Sequence, residues 1–266
     1  MDLGIRGRTA LISGGDSGIG LATAKLLAEE GVRVILTDVD HAKLDDALGT
    51  IGAEEGMALA FAADLTKPDD VTNLARQVEE AVGDLDILVH SAGITGETGF
   101  FHEVDDDAWH EVLETNLLAP VRLTRALLPG MRRKRWGRIV FIASEDAEQP
   151  YPDEIPYCAS KSGLLALSKG LSKTYAREGI LVNAVSPAFI ATPMTDAMME
   201  QRAQEMGVSF EEAIATFLEE ERPGIELERR GEAYEVAPVI ALLCSERASF
   251  VNGANWRVDG GSVATI

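Results

Sequence analysis

Short apolar runs alternate with longer stretches of helical composition along most of this 266-residue chain. The first run, Thr9-Ala10-Leu11-Ile12, passes through a glycine-rich turn into the helix-like stretch 21–28. A second run over 32–37 ends in Asp38, and a third over 57–62 ends near Asp64. Residues 68–82 open on Pro68-Asp69-Asp70 and space Val71, Leu74, Val78 and Ala81 on one face, which predicts an amphipathic helix. A fourth strand is expected at 87–90, running into Ser91-Ala92-Gly93, and a long helix over 106–131. A fifth strand over 138–143 stops at Ser144, and a helix over 156–178 starts with Pro156 in its first turn.

A sixth strand covers 181–185, a helix 232–244, and a seventh strand 256–258. Between them, residues 192–228 carry no strand pattern, are rich in Met and Glu, and end at Pro223-Gly224. Alternation of strand and helix through most of the chain predicts an α/β doubly wound sheet: seven mostly parallel strands with helices on both faces. The whole chain, 1–266, reads as a single domain, with 192–228 as a helical insertion serving as a substrate lid.

Composition narrows the function. Apolar residues make up 46% of the chain, enough for a large core, and no stretch reaches the length of a membrane span. A formal charge of −20 argues against a nucleic-acid surface and for a well-solvated one. Residues 1–7 run almost directly into the first strand, leaving no room for a signal peptide, and a cytoplasmic location is expected. Cys158 and Cys244 have neither disulfide nor metal-ligand spacing, and the four histidines are scattered, so no metal site is expected.

Two motifs carry the chemistry. Ser13-Gly14-Gly15-Asp16-Ser17-Gly18-Ile19-Gly20 joins a strand to a helix N-terminus. Missing side chains admit a pyrophosphate there, and free N–H groups with the helix dipole hold it. Asp38 follows twenty residues after Gly18, where a carboxylate accepts hydrogen bonds from a ribose and repels a 2′-phosphate. Near the other end, Tyr157 and Lys161 stand four residues apart on one helix face. An ammonium beside a phenol lowers the phenol's pKa and makes it a general acid/base near neutrality.

With these motifs in this order, the chain resembles the short-chain dehydrogenase/reductase family, whose members are Rossmann-fold oxidoreductases. The resemblance covers about 5–190 and 229–261, and rests on Gly14-x-x-x-Gly18-x-Gly20, Asp64-Leu65, Ser91-Ala92-Gly93, Asn116, Ser144, Tyr157, Lys161 and Ser186-Pro187. It implies a catalytic tetrad. Tyr157 would exchange the proton, and Ser144 would hydrogen-bond the reacting oxygen. Lys161 would also bond the nicotinamide ribose, and Asn116 would hold a water beside it. It implies further that Asp64 and Leu65 flank the adenine, that Ser91, Ala92 and Gly93 pass close to the cofactor, and that Thr192, after Pro187 and Ile190, meets the carboxamide.

Asp38, with no base at Ser17, favours NAD over NADP. Family resemblance places the substrate, a small alcohol or ketone, among Ser144, Asp146, Gln149, Tyr151, Phe189, Met194 and Met198, with Ile94 and Phe217 also as lining candidates. Relatives assemble as tetramers through the long helix, the Tyr157 helix and the C-terminal strand, and the apolar end 263–266 fits such an interface.

Three places in the chain depart from the family pattern. His90 stands where Asn is common, and Ala188 replaces a glycine, which matters if that site needs positive φ. Glu145 and Asp146 replace small residues. They read either as a solvated turn or as pocket carboxylates favouring a cationic or polyhydroxylated substrate. Arg132-Arg133-Lys134-Arg135 reads as a helix end whose cations complement the dipole. The expected activity is NAD(H)-dependent interconversion of a secondary alcohol and a ketone. Its rivals are a sugar epimerase or dehydratase, which would be longer with a different glycine turn, and a dinucleotide-binding sensor or scaffold without turnover.

Overall fold

The structure, a computed structural model, describes residues 1–54 and 56–265. Ile266, assigned above to an interface segment, lies outside the described residues. The described strands are β1 (Thr9–Ser13), β2 (Arg33–Asp38), β3 (Ala58–Ala62), β4 (Ile87–His90), β5 (Gly137–Ile142), β6 (Ile180–Pro187), β7 (Ile190–Ala191), β8 (Gly231–Glu232) and β9 (Asn255–Val258). The helices are α1 (Gly18–Glu29), α2 (His41–Ile51), α3 (Pro68–Val82), α4 (Asp106–Leu113), α5 (Ala119–Lys134), α6 (Ile155–Tyr175), α7 (Pro193–Met206), α8 (Phe210–Glu220) and α9 (Ala233–Leu243). Seven strands form one sheet in the order β3-β2-β1-β4-β5-β6-β9, every pair parallel.

Side chains alternate across this sheet, so neighbouring residues feed different cores. Ile12, Leu36 and Val89 point to one face, where Leu27 of α1, Leu44 of α2 and Ile240 of α9 close over them. Leu11, Ile35 and Leu88 point to the other, beneath Leu74 of α3, Leu123 of α5 and Leu164 of α6. Both faces are covered, which is why the strands read as unbroken apolar runs. Strand order reverses between β1 and β4, opening a crevice beyond their C-terminal ends, where ligands of such sheets bind.

Two elements differ from the sequence reading. The long helix over 106–131 is three pieces: α4, a π-helical turn over Glu114–Leu118, and α5. Composition cannot reveal the wider turn, because its residues are ordinary helix formers. The insertion also holds a strand: β7 and β8 pair in parallel, Ile190 with Gly231 and Ala191 with Glu232, and tie the two ends of the flap together. Two-residue strands carry no periodicity to read. Under α7 and α8, Phe189, Met199, Phe217 and Ile225 form a small separate core. Among the described residues, no helix is long and apolar enough to cross a membrane.

Candidate active site

The glycine turn is built for close approach. Gly14 and Gly18 have positive φ, and a Cβ on Gly14 would lie 2.6 Å from the Ala92 nitrogen. A Cβ on Gly20 would meet the Gly14 carbonyl oxygen at 1.9 Å, so Gly20 packs helix against turn rather than lining the cleft. Ser17 precedes α1 without capping it: its hydroxyl donates to Asp16 Oδ1 at 3.1 Å instead. The first N–H groups of α1 therefore have no side-chain acceptor and face the crevice, as a phosphate requires.

A cavity of about 200 Å³ runs from this turn to Tyr157, lined by Gly14, Asp16, Ser17, Gly18, Ile19, Asp38, Ser91, Ala92, Gly93, Ser144, Tyr157, Lys161, Pro187, Ile190 and Thr192 among others. A second space of about 480 Å³ joins it at Asp38, Ala92 and Gly93 and adds Asp64 and Leu65. Apart from Gly20, every residue assigned above to the cofactor lies on one of these two walls. A dinucleotide fits this double cleft. Among the described lining residues Lys161 is the one cation, at the end remote from Asp38. Burial raises the Asp38 carboxyl above its ordinary range; the Val39 N–H opposes this, and Asp16 adds to it.

Asn116 sits in the π-helical turn, almost fully buried. Its Oδ1 accepts from the Ile94 N–H at 2.9 Å, and its Nδ2 donates to the Ile94 carbonyl at 2.8 Å and to Ser160 Oγ at 3.1 Å. A Cβ on Gly93 would stand 3.2 Å from Asn116 Oδ1 and 3.4 Å from Lys161 Nζ, so these three groups crowd one point. π-turns recur at functional sites because the extra residue redirects a side chain.

Lys161 is buried, donates to the Ile142 carbonyl at 2.9 Å, and has its pKa lowered to about 8 by burial, with Asp146 pulling it back up. Its ammonium lies 5.4 Å from the centre of the Tyr157 ring. Tyr157 is half-buried and lines the cleft. Burial, then the Asp146 charge, push the phenol above its ordinary value, and the neighbouring Ser144 acts against them. This corrects the expectation drawn from spacing alone. Spacing says nothing of solvent, and here burial of the phenol sets the direction.

Ser144 Oγ donates to Asp146 Oδ1 at 2.7 Å and accepts from the Asp146 N–H at 3.3 Å. Glu145 and Asp146 are 2% and 5% exposed, so the solvated-turn reading falls. Both line a cavity of about 70 Å³ shared with Ser144, Glu154, Tyr157, Phe189, Met194, Met198, Phe217 and Arg222. Gln149 and Tyr151 do not line it. Gln149 Nε2 donates to the Tyr151 hydroxyl at 3.2 Å, and the Tyr151 ring stacks behind Arg222 at 3.5 Å. Phe217 reaches this cavity, while Ile94 belongs to the adenine-side space.

Sequence reasoning missed Arg222 and Glu154, which form a buried ion pair at 3.1 Å between the flap and the start of α6. Arg222 also lies 3.9 Å from Glu145. Burial raises Glu145 to about 7, Ser262 lowering it and Asp146 raising it; burial raises Glu154 to about 8 against the pull of Arg222. The available signal was one arginine directly after Glu219-Glu220-Glu221, which is weak. Ala188 does not adopt positive φ, so its methyl is unstrained.

Residues 8–203 match the family model described as short chain dehydrogenase. The chain belongs to the short-chain dehydrogenase/reductase family. Its relatives include the uncharacterized oxidoreductase YvrD of Bacillus subtilis (strain 168), 35% identical over all of both chains. D-beta-hydroxybutyrate dehydrogenase of Cupriavidus necator is 33% identical over 98% of this chain and 99% of its own. Among solved structures, L-sorbose reductase from Gluconobacter frateurii, complexed with NADPH and L-sorbose, superposes with a TM-score of 0.93 at 33% identity over both full chains. The protein is thus an NAD(P)-binding oxidoreductase of Rossmann fold.

Proposed function

We propose that this oxidoreductase interconverts a secondary alcohol and a ketone with NAD(H), using Tyr157 as general acid/base. The observation that carries the reading is a shared wall: Ser144 and Tyr157 line both the dinucleotide cleft and the small cavity beside the flap. A carbonyl in that cavity meets a proton donor and a hydrogen-bond donor on one side. Bound in the cleft, the dinucleotide supplies or takes the hydride. Tyr157 gives its proton to the carbonyl oxygen during reduction and recovers one during oxidation. Ser144 turns its hydroxyl from Asp146 to that oxygen and favours its developing charge. Lys161 holds positive charge beside the phenol, and Asn116 fixes the backbone at Ile94 that borders the lysine.

NAD is the proposed cofactor, because Asp16 and Asp38 line the ribose end and no cation lines the cleft beside them. The L-sorbose reductase binds NADPH, so the choice is tested directly. Purified protein is assayed by nicotinamide absorbance against mixed alcohols with NAD and mixed ketones with NADH, each repeated with NADP(H). Turnover favouring NAD(H) is expected. Silence in every mixture, with NADH bound, would favour a dinucleotide sensor. We propose a homotetramer as well, since β9 is an open sheet edge and Phe250 nearby is fully exposed. Light scattering on a sizing column measures it. A cytoplasmic location is proposed on the two buried, unpaired cysteines.

A further inference from the structure

We infer that Asp146 reads a hydroxyl group next to the reacting carbon, so that the substrate is a small neutral α-hydroxy ketone or the matching vicinal diol. This rests on the oxidoreductase reading above and names the substrate class for that same site.

The starting point is a conflict. Ser144 has one proton to donate, and it goes to Asp146 Oδ1 at 2.7 Å. A carbonyl entering the cavity needs that proton and must compete with a carboxylate for it. Hydrogen bonds to charged acceptors are stronger than those to neutral ones, so a plain ketone competes poorly. A substrate carrying its own hydroxyl resolves the conflict. That hydroxyl donates to Asp146 in place of Ser144, and the Ser144 hydroxyl is released toward the carbonyl oxygen. No charge is made or lost in the exchange.

Asp146 has capacity for it. Its second oxygen has the Cys158 thiol 3.9 Å away, a weak donor, and the Glu154 carboxyl, which donates to Asp146 only when protonated and is the donor a substrate hydroxyl would displace. Glu145 Oε2, on the same cavity wall, is buried with no hydrogen-bond partner among the described residues. Arg222 stands across from these carboxylates, anchored on Glu154 at 3.1 Å. The wall therefore offers acceptors and a donor within about 70 Å³.

An anionic substrate would face Asp146 and Glu145 in an enclosed site. An ammonium would face Arg222. Hydroxyl groups both donate and accept, and they carry no charge, so they suit both sides. Phe189, Phe217 and Met198 supply the apolar remainder of the wall, against which a short carbon skeleton packs.

The test uses isosteric ketones with NADH: hydroxyacetone against butanone, and separately 1-hydroxy-2-pentanone against 3-hexanone, with aminoacetone and acetoacetate as charged probes. Wild-type kcat/KM is expected to favour each hydroxylated member by about tenfold or more, the scale of one hydrogen bond to a charged acceptor. In Asp146→Ala that ratio is expected to collapse toward one, with the plain ketone gaining because Ser144 is freed. Asp146→Asn, which keeps the shape and loses the charge, should fall between. NADH titration of each variant shows that the site has folded. A merely structural role for Asp146 would lower both members of a pair and preserve their ratio. That result overturns the inference, as does a wild-type preference for butanone, aminoacetone or acetoacetate. Turnover of butanone with no gain for hydroxyacetone overturns this inference alone; silence with every ketone overturns the oxidoreductase reading and this one with it.

Discussion

Lys161 Nζ donates to the Ile142 carbonyl at 2.9 Å rather than to Tyr157, whose ring centre lies 5.4 Å away. Burial lowers the Lys161 pKa to about 8. Below that pH the ammonium is present; above it the charge is lost. Reduction measured as kcat/KM, which reports the free enzyme, is expected to fall about tenfold per unit above pH 8. Lys161→Arg keeps the charge at every accessible pH and should move that limb upward, whatever its absolute rate. An unmoved limb would assign the titration to another group.

The proposed preference for NAD places the discrimination between the two cofactors at Asp38. A 2′-phosphate placed beside it would meet a half-buried carboxylate with Asp16 nearby. Asp38→Ala is expected to reduce the preference for NAD over NADP in kcat/KM by about tenfold or more, from removal of like-charge repulsion. Steady-state assays at saturating alcohol measure it. A ratio unchanged by the substitution would move cofactor choice elsewhere in the cleft.

His90 links the site's strand to acid stability. Its ring stacks on Phe141 at 4.8 Å, its Nε2 pairs with Thr124 Oγ1 at 2.9 Å, and burial lowers its pKa to about 3. In the unfolded chain the same ring takes a proton below about 6.5. Between those values the unfolded state binds more protons, so this group's contribution to stability is lost as pH falls from 6.5 toward 3. Glu145 and Glu154 titrate with the opposite sign over part of that window, so the difference between wild type and a variant is the useful quantity. His90→Asn should narrow its stability gap to wild type by about 1.4 kcal/mol per pH unit on acidification. Urea melts between pH 6.5 and 4 follow this; a constant gap contradicts it.

What the sequence could convey divides along physical lines. The strands feeding the site were legible because both sheet faces are covered, and β1, β4 and β5 are therefore apolar through Ala10–Ile12, Ile87–Val89 and Ile139–Ile142. Asp38, Ser144 and Tyr157 were legible because each sits at a fixed distance from a strand end or glycine turn. The π-helical turn holding Asn116 was hidden, since its residues suit a plain α-helix equally well. Arg222 and Glu154 were hidden too, being 68 residues apart and brought together only by the fold. Spacing put Lys161 next to Tyr157 but carried no information on solvent, and so gave the wrong direction for the phenol.

The Arg222–Glu154 pair joins the residues after α8 to the start of α6. Arg222→Met keeps much of the apolar cover on Tyr151 but leaves Glu154 buried beside Asp146 without its cation. Breaking a buried pair from one side costs about 3–5 kcal/mol, and a carboxyl already raised to about 8 reduces that by taking a proton. Amide exchange is expected to quicken in α8 and the residues up to Arg222, with KM raised. Protection equal to wild type there would mean that the small core of Phe189, Met199, Phe217 and Ile225 holds the flap alone.

The central claim is that Tyr157 moves the proton, and Tyr157→Phe tests it most directly. The substitution removes one oxygen and leaves the dinucleotide cleft otherwise intact. NADH titration by fluorescence and NADH-linked ketone reduction are measured on the same sample. The account predicts NADH binding within a few-fold of wild type and a loss of turnover of a hundredfold or more, the scale of general acid catalysis. Turnover within tenfold of wild type, with NADH bound, would contradict it.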